Sequence, residues 1–234
     1  MTLTRIVPQR SLTEMSAERI REAILSGAFR LGENISEDRL VEMLGVSRTP
    51  IRDAMALLAR EGLVLVRPKR GSFVFETSLE DIAAICDYRE LIETQGARFA
   101  LRVARDAYLS ELNSVVSAMR TALDEGDVDA YGTLDTQFHN AAFRHCGNSY
   151  LQDANLLAAS RIAALRANIT APYAERRDES FAEHEALTDF LARGDLAAFD
   201  AALRTHIRRT EEVYSKALED GHLGNAATAK APAR

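Results

Sequence analysis

Three histidines and one aspartate in the second half of the chain have the types and spacings that hold a cation. Asp135 and His139 are four residues apart, and each follows an apolar residue, Leu134 and Phe138, by one position. On a helix the two would stack on a face bordering the core, close enough to share one ion. His184 falls in helical register with Phe181, Thr188 and Leu191, and His206 with Phe199, Leu203 and Thr210. Three histidines on three helices thus lie on or beside apolar stripes that should converge inside one bundle, where with Asp135 they could bind a shared metal. Taken singly, each reads as a hydrogen-bonded core histidine. His145, beside Cys146, and His222, near the C-terminus, lack comparable companions and are read as structural or solvent-exposed.

A second set of residues suits a different chemistry. In the run Gly45-Val46-Ser47-Arg48-Thr49-Pro50-Ile51-Arg52, Gly45 stops one helix, Ser47 can N-cap the next, and Pro50 sits in a first turn that needs no N–H from it. Arg48 and Arg52, four apart, project from one face at the helix start, where a guanidinium can bond bidentately to the O6/N7 edge of guanine. A solvated face carrying two arginines is the other reading.

The elements that would position these residues follow from hydrophobic periodicity. The chain has 234 residues, 47% hydrophobic and 27% charged, enough for one large or two modest domains with real cores. No apolar run reaches the length of a membrane span and the N-terminus lacks a signal-peptide core, so a cytoplasmic protein is expected. Cys86 and Cys146 have no CxxC spacing and are expected as buried free thiols. The formal charge of −6 is uneven. Residues 1–76 carry 12 Lys+Arg against 10 Asp+Glu, a net of +2, which leaves −8 and all five histidines for residues 77–234.

Periodicity places helices at about Thr13–Ser26, burying Met15, Ile20, Ala23 and Ile24, at about Ser36–Leu44, burying Leu40, Val41 and Leu44, and at about Thr49–Arg60, burying Ile51, Met55 and Leu58. Leu63–Val66 and Ser72–Phe75 read as two strands around the basic turn Arg67-Pro68-Lys69-Arg70-Gly71, a hairpin wing suited to phosphate or the minor groove. Ser78, followed by Glu80 and Asp81, opens an all-α six-helix bundle at about 79–104, 109–125, 128–145, 150–169, 174–193 and 196–218. Breaks are expected at Asp106-Ala107, Gly126-Asp127, Gly147-Asn148, Ala171-Pro172 and Gly194-Asp195. The fold expected is therefore mainly α, a winged helix-turn-helix over residues 1–76 followed by the bundle over 77–219. Residues 220–234, rich in Ala and Gly, read as a disordered tail.

Ile35 to Val74, with Leu40, Leu44-Gly45-Val46-Ser47-Arg48-Thr49-Pro50-Ile51-Arg52, Glu61-Gly62-Leu63 and Arg70-Gly71 in order, resembles the winged helix-turn-helix of the GntR family of bacterial transcription regulators. The resemblance implies that Arg39, Arg48 and Arg52 read or clamp double-stranded DNA, with Ser47 and Thr49 on phosphate, Arg70 in the wing and Gly71 at the wing tip. Arg30-Leu31-Gly32 departs from the family's usual proline before the glycine, in a connecting turn away from base reading. Residues 79–219 resemble the FCD effector-binding domain of the FadR branch, through Arg89 with Glu93, Asp135-Thr136-Gln137-Phe138-His139, Gly147-Asn148, Glu183-His184, Gly194-Asp195 and His206. The count of six helices points to the VanR-like subgroup.

That resemblance implies a divalent cation, zinc first and nickel, manganese or iron as alternatives, held by Asp135, His139, His184 and His206. An organic carboxylate could fill the open coordination positions, with Arg89 as its bidentate partner. Arg89 could instead form a helix-surface salt bridge with Glu93. Whether Ser160, Arg161 and Arg166 converge on the pocket is not encoded locally. The function implied is a homodimeric transcription regulator, a repressor, that reads a pseudo-palindromic operator and responds to a small carboxylate. The rivals are a helical metalloenzyme on the Asp/His site and a regulator whose metal is purely structural. Against the enzyme stand the absence of HExxH and of paired Glu-x-x-His motifs.

Overall fold

The computed structural model describes residues 10–170 and 176–221, which form two compact units divided between Phe75 and Glu76. The break expected at Ala171-Pro172, the start of a helix at 174, His222 and the tail from 222 onward lie outside the described residues. The chain is mainly helical, with one small antiparallel hairpin. Among the described residues no helix is long and apolar enough to cross a membrane.

In the first unit, α1 (Leu12–Leu25) starts at a capping box: the Glu14 N–H donates to Ser11 Oγ and the Ser11 N–H to Glu14 Oε2. Its buried face is Ser16, Ala17, Ile20 and Ile24. Met15 is 49% exposed, contrary to expectation, because it sits two positions before Ala17 and so about 200° around the helix. α2 (Glu37–Leu44) is capped by Ser36 and ended by Gly45 at φ +67°, and of its expected stripe Leu40 alone is fully buried. α3 (Arg48–Arg60) buries Ile51, Ala54, Met55 and Leu58. Ser47 occupies its N-cap position, but the hydroxyl makes no capping bond.

The hairpin pairs β1 (Val64–Arg67) with β2 (Gly71–Val74), from Val64 opposite Val74 to Arg67 opposite Gly71. Asn34 bridges to Phe73 and ties the wing to the segment before α2. Gly71 is needed where it stands: its φ is +101°, and a Cβ there would lie 3.1 Å from Asn34 Nδ2.

The second unit opens with α4 (Leu79–Asp124), where a Ser78–Asp81 capping box sets the start. The sequence suggests two helices here with a break at Asp106-Ala107. The chain instead kinks at Ala104 (φ −146°, ψ 46°) and runs on without a loop. α5 (Val128–His145) is capped by Asp127, and α6 spans Ser149–Thr170. α7 (Arg177–Arg193) ends at Gly194 in the left-handed region, and Asp195 caps α8 (Leu196–Glu219). α4 and α5 pack closely where Gly96 meets the Phe143 ring, 3.1 Å from where a Cβ would be. The core, which includes Leu112, Met119, Phe138, Phe181, Leu187 and Leu203, holds α4, α5, α7 and α8 together and fixes the inward faces of the last three.

Candidate nucleic-acid interface and metal centre

The bundle brings the expected ligands together. α5 supplies Asp135 and His139, α7 supplies His184 and α8 supplies His206. All three imidazoles are buried, and each offers a ring nitrogen within 4.8 Å of the others. His139 Nε2 lies 3.4 Å from His184 Nε2 and 3.2 Å from His206 Nε2. Asp135 Oδ1 is 3.3 Å from His184 Nε2 and 3.9 Å from His139 Nε2.

The remaining ring nitrogens set the tautomers. His139 Nδ1 faces Glu93 Oε2 at 2.7 Å, and His206 Nδ1 faces Glu183 Oε2 at 2.8 Å. A carboxylate can only accept, so Nδ1 of each carries the proton and donates it, and Nε2 of each presents a lone pair to the centre. Two lone pairs 3.2 Å apart repel each other unless a cation lies between them. Ligand nitrogens each about 2.1 Å from a zinc, at 90–109° to one another, are about 3.0–3.4 Å apart. The donor set therefore fits a divalent cation.

Arginines surround this cluster. Arg89 Nε donates to Glu93 Oε1 at 2.8 Å, while its Nη2 lies 3.4 Å from both nitrogens of the His139 ring. Arg166, on α6, holds Asp135 Oδ2 at 2.7 Å from Nε. Both guanidiniums are buried, and Nη1 of Arg89 and Nη2 of Arg166 have no hydrogen-bond partner among the described residues. The arrangement sets the protonation states. Burial alone would raise the Asp135 pKa, but Arg166 and the three imidazoles outweigh it and hold the carboxyl well below its usual range. Burial, reinforced by Arg166 and Arg89, pushes His139 well down, and burial with His206 pushes His184 down to about 3. Neutral histidines beside an ionised aspartate are the states in which these groups bind metal.

A cavity of about 110 Å³ opens over the cluster, with Arg89, Asp135, His139, Arg166 and His206 in its wall. Arg166 was not assignable from sequence, and neither were Glu93 and Glu183 as partners of His139 and His206. Each link joins residues at least 23 positions apart, and the one nearby hint, the Glu183-His184 dipeptide, points to the wrong histidine. Both cysteines are buried and free, and burial pushes the Cys86 thiol up to about 11. His145 is part-buried, with Nε2 2.6 Å from Glu111 Oε2.

In the first unit, Ser47, Arg48, Thr49 and Arg52 share the exposed N-terminal end of α3. Arg48 is oriented by Asp38, with Nη2 to Oδ1 at 2.7 Å. Arg39, on α2, donates to Glu33 Oε1 at 2.6 Å and lies over the Phe29 ring. Arg70 is exposed in the wing turn, where its N–H closes on Arg67 O at 3.0 Å and Lys69 takes a φ of +60°. Gly71 begins β2 rather than standing at the tip.

Comparison with known proteins places both units. Residues 12–74 match the bacterial regulatory proteins of the gntR family, and residues 84–209 match the FCD domain. An HTH-type transcriptional regulator in an unstable DNA locus of Streptomyces ambofaciens is 32% identical over 192 residues, 81% of this chain and 79% of that protein. The gluconate operon transcriptional repressor of Bacillus subtilis is 28% identical over 58% of this chain and 56% of its own length. Among solved structures, E. coli McbR/YncC shares the fold at a TM-score of 0.78 and 20% identity, covering 90% of this chain and all of that one. A GntR transcriptional regulator from Rhodococcus sp. RHA1 does so at 0.76 and 23%, covering 88% and 98%. The metalloenzyme alternative falls with these matches. The chain belongs to the GntR family of bacterial transcription regulators, in the FadR-like branch where an FCD domain follows the DNA-binding helix-turn-helix.

Proposed function

We propose that the chain is a homodimeric, cytoplasmic repressor in which residues 1–76 bind a pseudo-palindromic operator and residues 77–219 sense a small carboxylate at a divalent cation. Repression is supported by the names of two relatives, the Bacillus subtilis gluconate operon repressor and the Escherichia coli repressor RspR, each 28% identical over 58% of this chain. In the head, Arg48 and Arg52 read base edges from the N-terminal end of α3, where Asp38 already aims Arg48. Ser47, whose hydroxyl caps nothing, binds phosphate together with Thr49. Arg39 clamps the backbone, and Arg70 and Gly71 present the wing.

The observation that carries the sensor reading is the convergence of three buried imidazoles beneath a cavity whose wall includes Arg89 and Arg166. His139, His184 and His206, with Asp135 through Oδ1, would hold the cation, zinc first and nickel, manganese or iron as alternatives. The bound ion supplies a positive anchor for a carboxylate oxygen. Arg89 binds Glu93 through Nε, and its place in the cavity wall makes it the cationic partner for the same ligand. Induction requires the ligand to favour the arrangement of the two heads that does not fit DNA.

The test is electrophoretic mobility on DNA flanking the protein's own gene, with small carboxylates titrated against metal-replete and EDTA-treated protein. Release of a specific shift by a carboxylate only in the metal-replete form is expected. Release that is indifferent to EDTA would make the metal structural, and no specific shift from a folded dimer would overturn the regulator reading.

A further inference from the structure

Of Arg39, Arg48 and Arg52, two are held by carboxylates of the head itself. Glu33 binds Arg39 and Asp38 binds Arg48, whereas Arg52 makes no ion pair among the described residues. The two carboxylates differ in what else they do. Glu33 also accepts from the Arg30 N–H, so it closes the turn between Arg30 and Glu33. Asp38 has no comparable task. Ser36 caps α2, and Glu37 in the same first turn already complements the helix dipole.

Among the described residues Arg48 is the one partner of the Asp38 carboxylate. The two side chains are 66% and 67% exposed, and an ion pair so open to water adds little to stability. A carboxylate beside the reading end of α3 also opposes the approach of a duplex, which carries one negative charge per about 1.7 Å. The pair therefore weakens attraction to DNA in general without supporting the fold.

What the pair does is fix a guanidinium. Asp38 Oδ1 takes one N–H, on Nη2 at 2.7 Å, and leaves the rest of the fork for DNA. That remainder can bond bidentately to the O6/N7 edge of guanine with Asp38 still attached. Without Asp38, the long Arg48 side chain can swing to a phosphate wherever the base offers no such edge. Resting on the reading of Arg48 as a base contact, we infer that Asp38 sets sequence discrimination: it holds Arg48 toward the base edges and keeps it from the phosphates.

Fluorescence anisotropy of the full chain tests this on two duplexes, one selected by the unmodified protein from a randomised pool and one scrambled from it, between about 50 and 200 mM salt. Asp38→Asn removes the opposing charge, keeps the shape of the side chain and leaves the melting temperature unchanged. It binds the scrambled duplex about five- to tenfold tighter at about 0.1 M salt, and the slope of log affinity against log salt steepens by about 0.9. On the selected duplex the loosened Arg48 cancels that gain, so the ratio of selected to scrambled affinity falls at least about fivefold. In an Arg48→Ala background the same substitution leaves the ratio unchanged. A ratio unmoved by D38N in the otherwise unmodified protein overturns the inference and leaves the DNA-binding reading standing. So does a fall in the ratio that persists without Arg48, or a lower melting temperature, which would make Asp38 structural. If the unmodified protein enriches no sequence from the pool, the inference and the operator reading fall together.

Discussion

Replacing Arg166 with Met tests the electrostatics of the histidine cluster. Arg166 is 6% exposed and its Nε lies 2.7 Å from Asp135 Oδ2, so Met removes the charge while keeping a side chain of similar reach. Without metal, the variant leaves the Asp135 carboxylate among neutral imidazoles, and losing one member of a buried pair costs about 3–5 kcal/mol. In a chain of this size each kcal/mol moves the melting temperature by about 2–4 °C, so EDTA-treated R166M should melt about 6–20 °C lower. With metal bound, the cation replaces the missing positive charge and most of that loss disappears. By linkage, the difference reappears as tighter metal binding, by a factor on the order of a hundred to a thousand, because Arg166 competes with the cation for Asp135. Scanning calorimetry with EDTA and with saturating zinc, together with a zinc titration, reads both quantities. Equal destabilisation in the two conditions, or weaker zinc binding by the variant, would refute the reasoning.

The other expectations concern the partners of the cluster, its pH response and the DNA head. Glu183→Gln replaces the acceptor-only carboxylate that fixes the His206 tautomer with a neutral amide and should weaken zinc binding about 10–100-fold, whereas an unchanged zinc affinity would deny Glu183 that role. His184 is held to about 3 in the fold by burial and by His206, while an unfolded histidine takes up a proton below about 6.5. The unfolded chain therefore binds more protons between those values, and metal-free protein should lose stability as pH falls from about 6.5 toward 3. Melts of EDTA-treated protein at pH 7.5 and 5 check this, and His184→Asn should reduce the difference while His139, held down in the same way, keeps the remainder. Arg52→Ala should cost roughly 1–3 kcal/mol of operator affinity with little change on random DNA. Equal losses on both DNAs, measured by fluorescence anisotropy, would reduce Arg52 to a phosphate contact.

What could be read from the sequence follows the range of the interaction that fixes it. Ser36, Gly45 and Asp127 act through one turn of backbone, so the ends of α2 and the start of α5 are visible in the residues themselves. Ala104 offers no such signal. With neither Pro nor Gly near the expected break, the chain bends within one helix instead of ending it. The ligand histidines are visible because helical register against apolar neighbours decides which way a side chain points, and Phe138 and Phe181 make that register plain. Their partners are not visible, because Arg166 must cross from α6 to reach Asp135, and Glu183 reaches across to α8 instead of serving the adjacent His184. The two alternatives for Arg89, ion pair or ligand anchor, turn out to be compatible. A guanidinium has five N–H groups, and Arg89 uses Nε on Glu93 while Nη1 has no hydrogen-bond partner among the described residues and the side chain stands in the cavity wall. Glu93 in turn fixes the proton of His139, so the salt bridge that competes with the pocket role on sequence grounds is the contact that aims Arg89 and orients His139 together.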